Sequence, residues 1–139
     1  MAEMVTARGG VGIPVRCDHL NDSDVHALFA CVQQEQGHLD LLVNNAFGTT
    51  AQEEPFWLPF WEQPLARWDM MQLVRAHLLA SRLAIPLMRR QPQGLIVHRG
   101  FVVGEECGLD KDDQNLCFYL ANETTLRMAT IMANELIAH

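Results

Sequence analysis

The stretch Leu39-Asp40-Leu41-Leu42-Val43-Asn44-Asn45-Ala46-Phe47-Gly48 constrains this chain more than any other. An apolar run of strand length ends abruptly in two side-chain amides and a small residue, and a glycine follows at position 48. That reads as a buried strand opening into a tight turn. In parallel α/β sheets the carboxyl ends of the strands form the mouth where ligands bind. A function is therefore sought where Leu39–Val43 gives way to Asn44, Asn45 and Ala46.

The flanking segments supply the rest of such a sheet. Met1 to Arg8 is helix-compatible and stops at Gly9-Gly10. Gly12 to Asp18 reads as a short strand, with Pro14 near its start, where a missing N–H is least harmful. Asn21-Asp22-Ser23-Asp24 offers an N-cap and acidic first-turn residues to a helix whose Val25, Leu28, Phe29 and Val32 recur at helical spacing, and Gly37 ends it. The proline-rich passage Pro55-Phe56-Trp57-Leu58-Pro59-Phe60-Trp61 reads as a packed loop over the strand ends, either a binding wall or a hydrophobic plug.

Leu65 to Arg90 carries the longest helical pattern, with Met71, Val74, Leu78 and Ile85 on one face and Leu79, Leu83 and Leu87 beside it. Pro86 is expected to bend it. Leu95-Ile96-Val97 forms the next strand, a polar loop follows, and a last helix begins near Phe118 with Leu126, Ala129, Thr130, Ala133 and Ile137 on one stripe. Strand alternating with helix three times over predicts an α/β domain with a parallel sheet and right-handed crossovers.

Charge and cysteine usage remove several classes of function. A formal net charge of -7 argues against an electrostatic grip on nucleic acid, which needs clustered Lys and Arg. The 4 cysteines form no C-x-x-C pair and the 6 histidines no H-E-x-x-H helix, so neither zinc nor a disulfide framework is expected. The most apolar segment, Leu78 to Met88, is interrupted by Arg82 and too short for a bilayer. No signal peptide is seen, so a cytoplasmic chain with reduced thiols, touching neither membrane nor nucleic acid, is expected.

Asn44-Asn45-Ala46 with Gly48 after a strand, Cys17-Asp18 before it, and Trp68-Asp69, Pro86-Leu87-Met88, Gly94-Leu95-Ile96-Val97 and Tyr119 after it, together resemble the middle of a short-chain dehydrogenase/reductase. The order and spacing hold from about Gly9 to Ala138. The resemblance implies an incomplete Rossmann-like parallel sheet with flanking helices, a three-layer αβα remnant in one partial domain over 1–139. It implies NAD or NADP as cofactor, with Asp18 approaching the adenine and Asn44, Asn45 and Ala46 lining the adenosine and ribose side. The purely structural alternative makes the amides satisfy a tight turn and lets Asp18 cap a loop. Phe47 departs from the family's plain Asn-Asn-Ala-Gly form.

The family's chemistry uses a Tyr acid/base, a Lys four residues later whose positive charge favours phenolate, and a Ser that orients the substrate carbonyl. Tyr119 takes the first place, but Glu123 stands at the Lys position, where a carboxylate opposes a phenolate. Slipping the register by one residue puts Phe118 in the Tyr place and Asn122 in the Lys place. After Leu95-Ile96-Val97 the chain reads His98-Arg99-Gly100-Phe101, with no Ser after Ser81. His98 and Arg99 sit just past a strand end, where an Arg can clamp an anion or carbonyl, but a solvated loop end is the favoured reading.

No G-x-G-x-x-G turn opens a helix after a strand, so the pyrophosphate cradle is missing as well. In the family, strand order 3-2-1-4-5-6-7 places two further strands between those at Gly12 and Leu39, and neither is found here. The expectation is thus a truncated, catalytically impaired oxidoreductase acting on a small carbonyl or alcohol. The alternative is a non-catalytic interaction protein. The long and last helices are the family's oligomer-forming faces, so association of copies is expected there.

Overall fold

The computed structural model describes residues 1–46, 58–100 and 116–137. Phe47, Gly48, the first part of the aromatic passage and the polar loop at 101–115 lie outside the described residues. The elements run α1 (Ala2–Ala7), α2 (Asp22–Glu35), β1 (Leu41–Asn44), a 3-10 turn (Leu65–Asp69), α3 (Met70–Met88), β2 (Leu95–His98) and α4 (Leu116–Ile137).

α2 begins and ends where its caps dictate. Asn21 Oδ1 accepts from the Ser23 N–H at 3.0 Å, satisfying one of the donors a helix start leaves open. At the other end Gly37 turns the chain out at φ +75°, a conformation that favours glycine, while its N–H reaches back to Gln33 O and Val32 O. Arg75 of α3 clamps Asp22 with paired bonds of 2.6 and 2.7 Å, so the start of α2 is tied to the next helix.

β1 and β2 pair in parallel, Leu41 against Leu95 through Asn44 against His98. The ladder is extended by Leu95 N–H to Asp40 O at 2.9 Å and Arg99 N–H to Asn44 O at 3.0 Å. Side chains alternate across the strands. Leu42, Asn44, Ile96 and His98 face the helices, with Leu42 and Ile96 packing on a core of Val25, Phe29, Ala80, Ala84, Leu87 and Met88. The other face carries Leu41, Val43, Leu95 and Val97 at 50, 51, 58 and 37% exposure. The run at Leu39–Val43, read as a buried strand, is therefore buried on one side only among the described residues. α2, α3 and α4 all lie over the Leu42–Ile96 face.

The strand expected at Gly12–Asp18 does not form. Its backbone joins no ladder; Gly12 N–H goes instead to Thr6 Oγ1 at 3.2 Å, folding the segment back on α1. A strand is a paired structure, and a β-compatible sequence without a neighbouring edge has no partner for its donors and acceptors. Cys17 nonetheless packs against the α2–α3 core and brings Asp18 to the start of α2.

The buried face of α3 includes Leu87, and Leu79 and Leu83 beside it pack half-buried against the core. Val74, Ala76, His77, Ala80, Ser81, Ala84 and Leu87 are buried, whereas Leu78 is exposed. α3 is flanked by α2, by α4 and by the sheet. Small residues at 76, 80 and 84 permit that close approach, and the bulkier Leu78 is left outside. In α4 the inner face is Cys117, Ala121, Asn122 and Thr125, packed on Met70 and Val74. Leu126, Thr130, Ala133 and Ile137 of the expected stripe are exposed. Among the described residues no helix is long and apolar enough to cross a membrane.

Candidate functional site at the carboxyl ends of β1 and β2

Asn44 ends β1 on the face that the alternation turns inward, and it is buried. A buried amide is costly unless its hydrogen bonds are made. Its Nδ2 donates to Ser81 Oγ at 3.0 Å and lies 3.4 Å from His98 Nδ1 and 3.5 Å from His77 O. Ser81 in turn donates to His77 O at 2.8 Å, so its own proton is committed and its oxygen must accept from Asn44. That fixes which way the Asn44 amide points.

His77 closes the arrangement. Its Nε2 lies 3.0 Å from Ala46 O; since a carbonyl only accepts, Nε2 carries the proton. The residue after the Asn-Asn pair is thus held from below by a helix side chain. Burial pushes both His77 and His98 below the ordinary imidazole range, and each of them is further lowered by another nearby histidine, His19 beside His77 and His77 beside His98. Both rings are therefore neutral at pH 7. Their centroids are 5.9 Å apart.

Asn45 is exposed and Ala46 half-buried at the rim of this cluster, while Asn44 is its anchor. Asp18 is exposed, and it is used locally: its Oδ1 accepts from Leu20 N–H at 3.0 Å, and its own N–H donates to Asp24 Oδ2 at 3.1 Å. Tyr119 sits half-buried on α4 against Phe118, with ring centroids 5.6 Å apart. The helix row that meets the end of β2 is its neighbour's. Asn122 is 3% exposed, and a Cβ on Gly100 would lie 3.6 Å from its Oδ1. Glu123 is exposed.

Sequence reading missed His77 and Ser81, and it took His98 for a solvated loop end. His98 instead closes β2 facing Asn44. The period of two from Ile96 carries that signal, and His77 and Ser81 share a helix face at i, i+4 with Val74 and Ala84 nearby. Among the described residues no group of three or more His, Cys, Asp or Glu side chains gathers into a metal site. Cys17, Cys31 and Cys117 are free thiols. A groove of about 420 Å³ runs along the outer edge of β2, walled by Ile85, Met88, Ile96, Met132 and Leu136.

The family described as enoyl-(acyl carrier protein) reductase matches residues 1–134. Mouse dehydrogenase/reductase SDR family member 1 is 36% identical over 142 aligned residues, covering 99% of this chain and 44% of that protein. The human protein of the same name is 40% identical over 101 residues, 70% of this chain and 32% of that protein. The chain thus spans less than half the length of these relatives. Among solved structures, a metagenomic short-chain oxidoreductase in complex with NADP aligns at TM-score 0.82 and 24% identity, over 99% of this chain and 59% of its own. A short-chain type dehydrogenase/reductase from Mycobacterium marinum aligns at TM-score 0.83 and 20% identity, over 99% and 54%. These two likenesses establish the fold.

Proposed function

The chain belongs to the short-chain dehydrogenase/reductase family, and from that premise we propose that it forms the adenosine-side wall of a nicotinamide dinucleotide site, in an oxidoreductase of carbonyls and alcohols that is impaired in hydride transfer. The observation that carries the binding half is the anchoring of Asn44 to Ser81 at 3.0 Å, which leaves Asn45 exposed at the sheet's mouth. Asn45 and Ala46 would line the adenosine and its ribose, with Asp18 toward the adenine. NAD or NADP, once bound, supplies the hydride acceptor or donor. The NADP in the metagenomic oxidoreductase supports a nicotinamide cofactor for the family fold.

The impaired half rests on this chain's own residues. Tyr119 is the single tyrosine and the remaining acid/base candidate. The residue one turn on is an exposed carboxylate, Glu123, and the buried neighbour facing Gly100 is an amide, Asn122. Neither supplies the cation that makes a phenol a competent base near neutral pH. Gly100 carries no hydroxyl to orient a carbonyl.

Titration of the full chain with NADH and with NADPH, followed by nucleotide fluorescence, tests this reading. Saturable binding without turnover of a carbonyl panel is expected; turnover overturns the impairment, and absence of binding by either nucleotide overturns the site. A second reading, a non-catalytic interaction protein in a reducing cytoplasm, is favoured by the exposed Leu126, Ile131, Leu136 and Ile137 on α4. On that reading α3 and α4 join copies of the chain, and nucleotide has no effect on it.

A further inference from the structure

Two parts of this chain are incomplete in ways that match each other. The first is the outer edge of β1. Leu95 N–H bonds to Asp40 O and Arg99 N–H to Asn44 O, so Asp40, Leu42 and Asn44 turn their backbone groups to β2. The N–H and C=O of Leu41 and Val43 point the other way, and among the described residues no strand lies beside them. An open edge of this kind is a template for a further strand.

The second is the segment Val11–Arg16, which joins no ladder. It places β-branched side chains at every second position, Val11, Ile13 and Val15, and they are 86, 55 and 47% exposed. Its two edges differ. Gly12 lies against Ala2 of α1 and gives its N–H to Thr6 Oγ1, and Pro14 has no N–H to give, so that edge is closed. The N–H and C=O of Ile13 and Val15, on the other edge, make no hydrogen bond among the described residues.

One antiparallel register completes both. With Val15 opposite Leu41 and Ile13 opposite Val43, the free backbone groups of the two segments face each other as hydrogen-bonded pairs. Pro14 then falls opposite Leu42, at a position that needs no N–H. Val15 and Ile13 join Leu41 and Val43 on the sheet face that carries no helix. Arg16 meets Asp40, whose side chain is 73% exposed, as an opposite-charge cross-strand pair. A chain does not make this pair with itself, because a helix joining two adjacent strands, as α2 would, sets them parallel. We propose that β1 is completed by a second copy of this chain, Val11–Arg16 of each copy adding antiparallel to the outer edge of the other's β1. Reciprocal exchange about a two-fold axis closes at two copies, whereas one-way exchange runs on as a filament. The pairing uses neither Asn45 nor the exposed side of α4.

Sedimentation velocity of the full chain over a wide range of concentration, with amide hydrogen exchange beside it, tests the pairing. A monomer–dimer equilibrium is expected, with the amides of Ile13, Val15, Leu41 and Val43 protected as the dimer forms. Ile13→Lys, at an exposed position, should abolish the dimer, and Ile131→Lys on α4 should leave it intact. Arg16→Asp and Asp40→Arg should each weaken it several-fold, and the two together in one chain should restore it. Net charge alone would give the two variants opposite effects, since one makes the charge of -7 more negative and the other less. The proposal is overturned by a chain that stays monomeric, by an assembly larger than two, by a dimer that survives Ile13→Lys, or by opposite effects of the two charge variants. Amide protection is read on the unaltered chain, so the outcome does not depend on whether a variant folds.

Discussion

Asn44 and Ser81, one at the end of β1 and the other in the middle of α3, are joined by a 3.0 Å hydrogen bond between two buried side chains. The bond fixes the strand end against the helix and orients the amide toward His98. Asn44→Ala leaves Ser81 Oγ and His98 Nδ1 short of a donor, and about 1–3 kcal/mol of stability should be lost. Ser81→Ala should cost about 1 kcal/mol, and the double variant less than the sum, because the two side chains share one bond. Urea midpoints at constant m-value measure all three.

The histidine pair gives stability a dependence on pH. Folding lowers both imidazoles below their ordinary value of 6.5, so the unfolded chain binds more protons in that region. The contribution is fully present above that value and is lost as the pH falls through it toward the depressed folded values. His77→Gln with His98→Gln should flatten the slope of urea midpoint against pH between roughly 7 and 5. Equal slopes in both proteins would dismiss the assignment. Asp22, held below the usual carboxylate range by its hydrogen bond to Arg75, acts in a separate and more acidic window.

Close packing around α3 should make it intolerant of volume in either direction. Ala84 is fully buried, and Leu87 is nearly so, in the same cluster as Val25 and Phe29 of α2. Leu87→Ala should cost about 2–5 kcal/mol through lost burial and the cavity left behind. Ala84→Leu should cost about 1–3 kcal/mol by forcing α2 and α3 apart. Leu78→Ala, on the exposed side of the same helix, should change stability by no more than about 0.5 kcal/mol. Thermal or urea unfolding of the three separates the faces.

Nucleotide binding and chemistry should respond to different residues. Asn45→Ala removes an exposed side chain, so it should leave the unfolding midpoint unchanged while weakening NADH or NADPH binding several-fold. Tyr119→Phe should leave the binding unchanged and, like the unaltered chain, show no turnover, since Glu123 and Asn122 stand where a cation would be needed. Fluorescence titration beside a carbonyl-reduction assay reads both. A rate that collapses in Tyr119→Phe would show a working acid/base there.

Periodicity and turn chemistry determined the elements that depend on local forces. The Asn21 cap, the Gly37 stop, the helix before β2 and the apolar runs of β1 and β2 are written into neighbouring residues, as is the Asn-Asn-Ala segment that signals ancestry. Pairing and facing were decided only by the tertiary structure. Gly12–Asp18 has strand-like residues and joins no edge among the described residues. α3 turns alanines and a serine inward because it is packed from three sides, which no one-dimensional pattern reports. The polar cluster needs residues separated by 31, 37 and 54 positions to meet. Residue type alone could not distinguish a loop-end His98 from a half-buried one facing the helices, since that depends on which side of β2 the sheet's partner helices occupy.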